Sequence, residues 1–263
     1  MSHTNGQAII SISNLGKIYE TPTSSVHAIS DVSFDVEAGE FVSVLGPSGC
    51  GKSTLMMIAA GLRTKTSGAI QVNGRDVDGP MDDIGIVFQR DVLLDWANVI
   101  DNVMFSIEAR KLPTKEYLPN AKRLLDSVGL ADFYEARPYE LSGGMRQRVS
   151  ICRALVHDPQ LLLMDEPFGA LDALTREQMM LDLQSVWLQS KKTVLFITHS
   201  IQEAVFLSDR VIVMSPRPGT IDLDLRIDLP RPRSLHIMET PNFNAYMREI
   251  RETFEARGVI THV

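Results

Sequence analysis

The run Gly46-Pro47-Ser48-Gly49-Cys50-Gly51-Lys52-Ser53-Thr54 constrains this chain more than any other stretch. It satisfies the pattern G-x-x-x-x-G-K-[ST], and holding a polyphosphate asks for these residue types. Glycines let the loop curl so that successive backbone N–H groups point inward, and a helix opening at Lys52 adds the positive end of its dipole. Lys52 then reaches the β- and γ-phosphates, and the Ser53 hydroxyl is placed to ligate Mg2+. The flanks agree with a phosphate cradle. Phe41-Val42-Ser43-Val44-Leu45 reads as a short buried strand before the loop, and Leu55 to Ala60 is helix-compatible after it.

A chain of 263 residues with 44% hydrophobic side chains can build one large α/β domain or two small ones. With 33 acidic and 26 basic side chains its net charge is -7, which disfavours a nucleic-acid partner. Cys50 and Cys152 lie far apart with no metal-ligand spacing, and so few thiols suit a reducing compartment. Cys50, inside the phosphate loop, reads as a bystander rather than a redox switch. The N-terminus lacks a basic-then-apolar signal, and no apolar run approaches the eighteen or so residues of a membrane span, so the expectation is a soluble cytoplasmic chain.

Taken in order, Ala8 to Ile18 is strand-like and leads to Tyr19. Thr21 to Ser25 is turn chemistry. Val32, Phe34 and Val36 then alternate with polar residues, and Glu37-Ala38-Gly39-Glu40 is expected to close a hairpin into the phosphate-loop strand. Thr66-Ser67-Gly68 breaks the chain, and Asn73-Gly74 signals a second hairpin. Pro113, Pro119 and Pro138 punctuate helical patterns from Asp91 to about Leu141, a mostly helical subdomain. Ile221 to Leu229 alternates as a half-buried strand. Pro230-Arg231-Pro232-Arg233 reads as a solvated basic linker, and Thr240-Pro241 opens a last helix with Phe243, Tyr246, Met247, Ile250 and Phe254 on one face.

Three buried strands deliver polar side chains at their ends, where α/β sheets bind ligands. Ile84 to Phe88 ends at Gln89, Leu161 to Met164 at Asp165 and Glu166, and Thr193 to Thr198 at His199. Asp165 can hold the Mg2+ shell through water, and Glu166 can polarise a water attacking the γ-phosphate. Carboxylates capping a helix, or a structural histidine, are the competing accounts. Ser142-Gly143-Gly144 opens a helix from Arg146 to His157, and Ser142 serves as its N-cap without any ligand. Ala170-Leu171-Asp172 precedes an amphipathic helix whose Met180, Leu183 and Trp187 form a core stripe.

Together these motifs resemble the nucleotide-binding subunit of an ATP-binding-cassette (ABC) transporter, over nearly the whole chain and in the family's order. The resemblance implies a P-loop NTPase (RecA-like) α/β core with an antiparallel β subdomain and an inserted helical subdomain at about 91–145. The cassette would span 1–236, with a helical extension over 237–263. It makes Gly46 to Thr54 the Walker A loop, Gln89 the Q-loop glutamine and a Mg2+ neighbour, Leu141 to Met145 the signature and Asp165 the Walker B carboxylate. Glu166 matches the catalytic glutamate, Asp172 the D-loop, His199 the switch histidine and Tyr19 the aromatic that stacks on adenine. Met145 replaces the usual signature Gln, as in similar importers of nitrate, sulfonate and taurine. Leu93 to Trp96, Ser215 to Gly219 and Asp228 to Arg233 suggest the same subgroup.

The resemblance also implies ATP and Mg2+ as cofactors. Two copies would pair head to tail, each ATP lying between one Walker A loop and the opposite Ser142-Gly143-Gly144. A separate permease would dock near the Q-loop, with an external solute-binding protein supplying a small anion, and the chain would lie on the cytoplasmic face of the bacterial inner membrane. The competing class, a soluble ABC ATPase acting on DNA or ribosomes, usually has two cassettes or a coiled-coil insertion. Neither is visible here. A P-loop GTPase or kinase would leave the Ser-Gly-Gly segment unexplained, and no Asn-Lys-x-Asp motif occurs.

Overall fold

Around the Pro22-Thr23 turn the chain folds into two long antiparallel strands, β1 (Ala8–Thr21) and β2 (Ser24–Glu37). The alternation seen in sequence puts Ile10, Ile12, Val32, Phe34 and Val36 inside. The computed structural model describes residues 8–259, and the chain divides into two units. One takes the stretches up to Asp82 and from Lys191 on; the other is Asp83–Ser190.

The discontinuous unit continues with β3 (Phe41–Leu45), α1 (Lys52–Ala59), β4 (Ser67–Val72) and β5 (Arg75–Asp76). An antiparallel sheet of order β2-β1-β4-β5 results. Asn73 and Gly74 both take positive φ, 52° and 71°, which closes the expected β4–β5 hairpin. Two sequence expectations fail in this unit. Residues 38–40 do not close a hairpin, because β2 pairs with β1 whereas β3 runs parallel to strands much later in the chain. Every residue of β3 is buried, so it needs partners on both edges, and local alternation carries no information about which sheet a strand joins. Ser67 and Gly68 do not break the chain but begin β4. Gly68 sits at φ 76° where β1 shifts register, and a Cβ there would meet the Asn14 carbonyl oxygen at 2.3 Å. Helix α1 buries Leu55, Met56 and Ile58, each a contribution of about 1.5–3 kcal/mol from water exclusion.

The contiguous unit carries β6 (Ile84–Val87), α2 (Val99–Ala109), α3 (Thr114–Ser127), α4 (Gly143–Leu155), β7 (Leu161–Asp165) and α5 (Ala173–Ser190). β6 and β7 pair in parallel from Ile84↔Leu161 to Val87↔Met164. Helices α2, α3 and α4 pack on one another, and α4 also packs on β6. Pro119 lies inside α3 rather than at its boundary. Both Pro119 and Lys115, whose carbonyl loses a partner, are exposed, so water replaces the missing hydrogen bond. Fully buried Asn102 donates to the carbonyls of Leu94, Ala97 and Asn98 and accepts from the Leu94 N–H, which shapes the loop ahead of α2.

After Lys191 the first unit resumes with β8 (Thr193–Thr198), α6 (Ile201–Leu207), β9 (Arg210–Met214), β10 (Ile221–Arg226) and α7 (Pro241–Ala256). β3 lies between β8 and β9, parallel to both, and β10 adds antiparallel to β9. The expected strand to Leu229 stops at Arg226, where the Ile227 N–H turns to the Asp209 carbonyl. α7 begins as expected at Thr240, whose hydroxyl accepts from the Phe243 N–H, and it packs on α6.

The expectation of a solvated linker at 230–233 is overturned. Arg233 is only 2% exposed, and its guanidinium donates to the carbonyls of Val205, Phe206, Ser208 and Leu229. Arg231 donates to the Leu207 carbonyl and pairs with Asp209 at 2.8 Å. Between them the two arginines satisfy the carbonyls that α6 leaves unpaired at its C-terminal end and complement its dipole. Burial, then the neighbouring Arg231, push the Arg233 pKa down to about 10, so it stays charged at neutral pH. Replacing Arg233→Met should cost about 3–5 kcal/mol, since several buried carbonyls lose their donor at once. A thermal-unfolding midpoint within a degree or two of the parent would contradict the clamp.

Candidate functional site

In the first unit, the phosphate loop leaves β3 and turns into α1 through Gly51, which sits at φ 106°. A Cβ at Gly51 would meet the Ala28 carbonyl oxygen at 2.8 Å, so both the dihedral and the close approach require glycine. Lys52 is 5% exposed and folds back along the loop, donating from Nζ to the carbonyls of Gly46 at 2.8 Å and Pro47 at 3.1 Å. Cys50 packs beneath it, with Sγ 3.9 Å from that Nζ. Ser48, Gly49 and Ser53 are exposed, and Gly46 is buried.

The start of α1 differs from those of α2, α4, α6 and α7. These four are capped by the side chains of Asn98, Ser142, Ser200 and Thr240. α1 has Gly51 at its cap, no side-chain cap hydrogen bond and no acid in its first turn. Its N–H groups and dipole therefore favour an anion supplied from outside. The donor set fits a magnesium-bound triphosphate: backbone amides and an ammonium for phosphate oxygens, and the exposed Ser53 hydroxyl as a hard-cation ligand.

Tyr19, half-buried on β1, shares a hydrogen bond of 3.2 Å between its hydroxyl and that of Thr54. Its ring lies near the Lys17 ammonium, 5.1 Å from the centroid, and the Arg63 guanidinium, 5.9 Å away. The aromatic is thus tied directly to the last residue of the loop. His199 is exposed just after β8. The residues on either side of it are fixed by a small buried network. Thr198 donates its hydroxyl to Glu203 at 2.5 Å and accepts from the Ser200 N–H at 3.0 Å, while Ser200 caps α6.

In the second unit, Asp165 ends β7 and Glu166 follows at φ 44°, an uncommon conformation for a residue with a side chain. Strain of about 1–3 kcal/mol of this kind concentrates at functional positions. The exposed Gln89 donates from Nε2 to the Glu166 carboxylate at 3.4 Å, so these two strand-end groups meet. Ser142 caps α4 by accepting from the Met145 N–H at 3.3 Å. Asp172 accepts from both the N–H and the hydroxyl of Thr175, at 3.1 and 2.6 Å, and these bonds hold its carboxyl below the usual range. Thr175 in turn lies against the Ser142-Gly143-Gly144 helix entrance: a Cβ at Gly144 would meet its methyl group at 2.7 Å. Gly144 is therefore needed for the approach of α5's first turn to α4. Cys152 is wholly buried and its pKa is pushed up to about 12, so it is an inert core thiol.

The ABC transporter family model matches residues 29–169, a stretch that contains the phosphate loop, Gln89, the Ser-Gly-Gly helix entrance and the Asp165-Glu166 pair. The chain belongs to the ABC transporter family. It is an ATP-binding subunit of that family, and an ATPase.

Among similar relatives of the ABC chain is an uncharacterized ABC transporter ATP-binding protein from Methanocaldococcus jannaschii. It is 46% identical over 92% of this chain and 89% of its own. A taurine import ATP-binding protein from Rhizobium johnstonii is 50% identical over 86% of this chain and 88% of its own. A nitrate import ATP-binding protein from a Synechocystis strain is 44% identical over 95% and 98%. Among solved structures, a dimeric ATP-binding cassette in a post-hydrolysis state with ADP and phosphate superposes with a TM-score of 0.73 at 30% identity. It covers 84% of this chain and all of that one. The α/β core with its antiparallel sheet is therefore the ABC cassette fold that the motifs implied.

Sequence reasoning missed the side chains that support these groups. Thr198 and Glu203 flank His199 too closely to stand out as a motif. Arg146 and Arg153 reach the loop after Gln89 from one face of α4. Their spacing of two helical turns was the available signal.

Proposed function

We propose that this ABC ATPase energises uptake of a small anion, of the taurine, sulfonate or nitrate kind, through a separate membrane permease. It works as a homodimer on the cytoplasmic face of the bacterial inner membrane, and an external binding protein delivers the solute. The observation that supports this most is the end-to-end likeness to the nitrate import protein, together with the taurine import relatives. The dimeric solved cassettes support pairing of two copies. No helix among the described residues is long and apolar enough to cross a membrane, which fits a division of labour with a permease.

In this reading the backbone N–H groups of Gly46, Ser48, Gly49, Cys50, Gly51 and Thr54 and the Lys52 ammonium cradle the phosphates, and Pro47, which has no N–H, sets the turn of the loop. Tyr19 stacks on the base. Ser53, Gln89 and Asp165 would hold Mg2+, which would supply neutralisation of the phosphoryl charge. Glu166 orients and polarises the attacking water, and His199 hydrogen-bonds the γ-phosphate. Ser142, Gly143 and Gly144 meet the partner copy's ATP, with Asp172 beside them. Residues 1–236 form the cassette, with its helical part near 91–145, and 237–263 the extension.

The test is uptake in the source organism. Deleting the gene should abolish accumulation of labelled taurine, a simple alkylsulfonate or nitrate, and the parent gene should restore it where a Lys52→Ala copy does not. Undiminished uptake of all three anions, with the protein recovered on ribosomes or DNA instead of membranes, would refute this reading.

A further inference from the structure

The segment that leaves Gln89 is strapped to the helix that opens at the signature. Two residues after Gln89, the Asp91 carboxylate accepts from Arg146 Nε at 2.9 Å. The same guanidinium donates through Nη1 to the carbonyl of Leu141, the residue just before Ser142, at 2.7 Å. Seven residues further along α4, Arg153 donates from Nη2 to the Asp91 carbonyl at 2.7 Å and from Nη1 to the Val92 carbonyl at 2.8 Å. One helix thus grips residues 91 and 92 by a side chain and two main-chain oxygens. All four hydrogen bonds are charge-assisted.

Arg146 is the member that bridges. One edge of its planar guanidinium holds the exit from Gln89 and another holds the entrance to Ser142, so a shift of either end must pull on the other. A lysine, with a point charge at the end of a flexible stem, could satisfy one acceptor but not fix both. The pair is also accessible enough to move: the side chains of Arg146 and Asp91 are 35% and 30% exposed.

We infer that Arg146 and Asp91 are positioning residues that couple the two ATP sites of the dimer. The inference rests on the proposed function, in which Gln89 senses the ATP of its own subunit while Ser142, Gly143 and Gly144 face the ATP of the partner. The strap then converts the state of Gln89 in one site into the orientation of the signature at the other, a physical route for cooperativity.

The experiment measures steady-state ATP hydrolysis by the purified full chain against ATP concentration. The parent should show a Hill coefficient near 2, the ceiling set by two sites. Asp91→Asn and Arg146→Gln should each lower it towards 1 and reduce kcat by roughly 2- to 30-fold, with an unchanged thermal-unfolding midpoint. Arg146→Lys should restore part of the rate but not the cooperativity. The double variant should be no worse than either single one, the non-additivity expected of one link.

A Hill coefficient that stays at the parent value in both single variants overturns the inference, and so does a fall in activity that tracks a fall in unfolding midpoint. Either result leaves the proposed function standing, because the parent still dimerises and hydrolyses cooperatively. A parent chain that binds ATP but neither dimerises nor hydrolyses cooperatively overturns both.

Discussion

Glu166→Gln should leave ATP binding intact and nearly abolish turnover, by about 10²–10⁴-fold, the usual worth of a positioned general base. The substitution keeps the shape of the side chain and an oxygen that can still accept from Gln89 Nε2, which lies 3.4 Å from the native carboxylate. It removes only the charge to which the proposed function gives the polarising of water. With hydrolysis blocked, ATP holds two copies together. Size-exclusion chromatography with ATP and Mg2+ should therefore show a dimer that persists for the variant and is transient for the parent. Hydrolysis at the parent rate would remove Glu166 from the chemistry, whatever the state of the dimer.

Lys52→Ala should weaken ATP binding by at least about 100-fold, consistent with the loss of charge-assisted bonds worth about 1.5–3 kcal/mol each. The structure adds a second consequence. The Lys52 ammonium also satisfies the Gly46 and Pro47 carbonyls, so it braces the curl of the loop from within. The variant should lose both the ligand's partner and the brace. Fluorescent-nucleotide titration would read the first effect, and faster amide exchange across residues 46–51 without nucleotide the second. Unchanged affinity would refute the cradle.

The candidate site residues were legible in the sequence because each sits where a short local signal ends. The glycines of the loop answer to dihedral limits, and Gln89, Asp165, Glu166 and His199 lie at the ends of short apolar runs of the kind that buried strands have. Ser142 and Thr240 were readable as caps for the same reason. What escaped was long-range. Asp91 and Arg146 are separated by an entire helical subdomain, and nothing near either residue announces the other. Arg233 looked like solvated charge because prolines surround it, yet it finds its acceptors on a helix that lies earlier in the chain. The supposed hairpin at 38–40 failed because alternation reports exposure of a strand's faces and is silent about its neighbours.

The division of the chain into one contiguous and one interrupted unit has a consequence for birth on the ribosome. β3 emerges early, but both of its edge partners, β8 and β9, are encoded roughly 150 residues later. At about 5–20 residues per second, an apolar strand with two open edges waits roughly 8–30 s for its first neighbour. Asp83–Ser190 suffers no such delay, since β6, its helices and β7 arrive in one piece. The middle of the chain can be finished while its beginning is still exposed. The nascent chain is thus most prone to aggregate through the strand that will carry the phosphate loop.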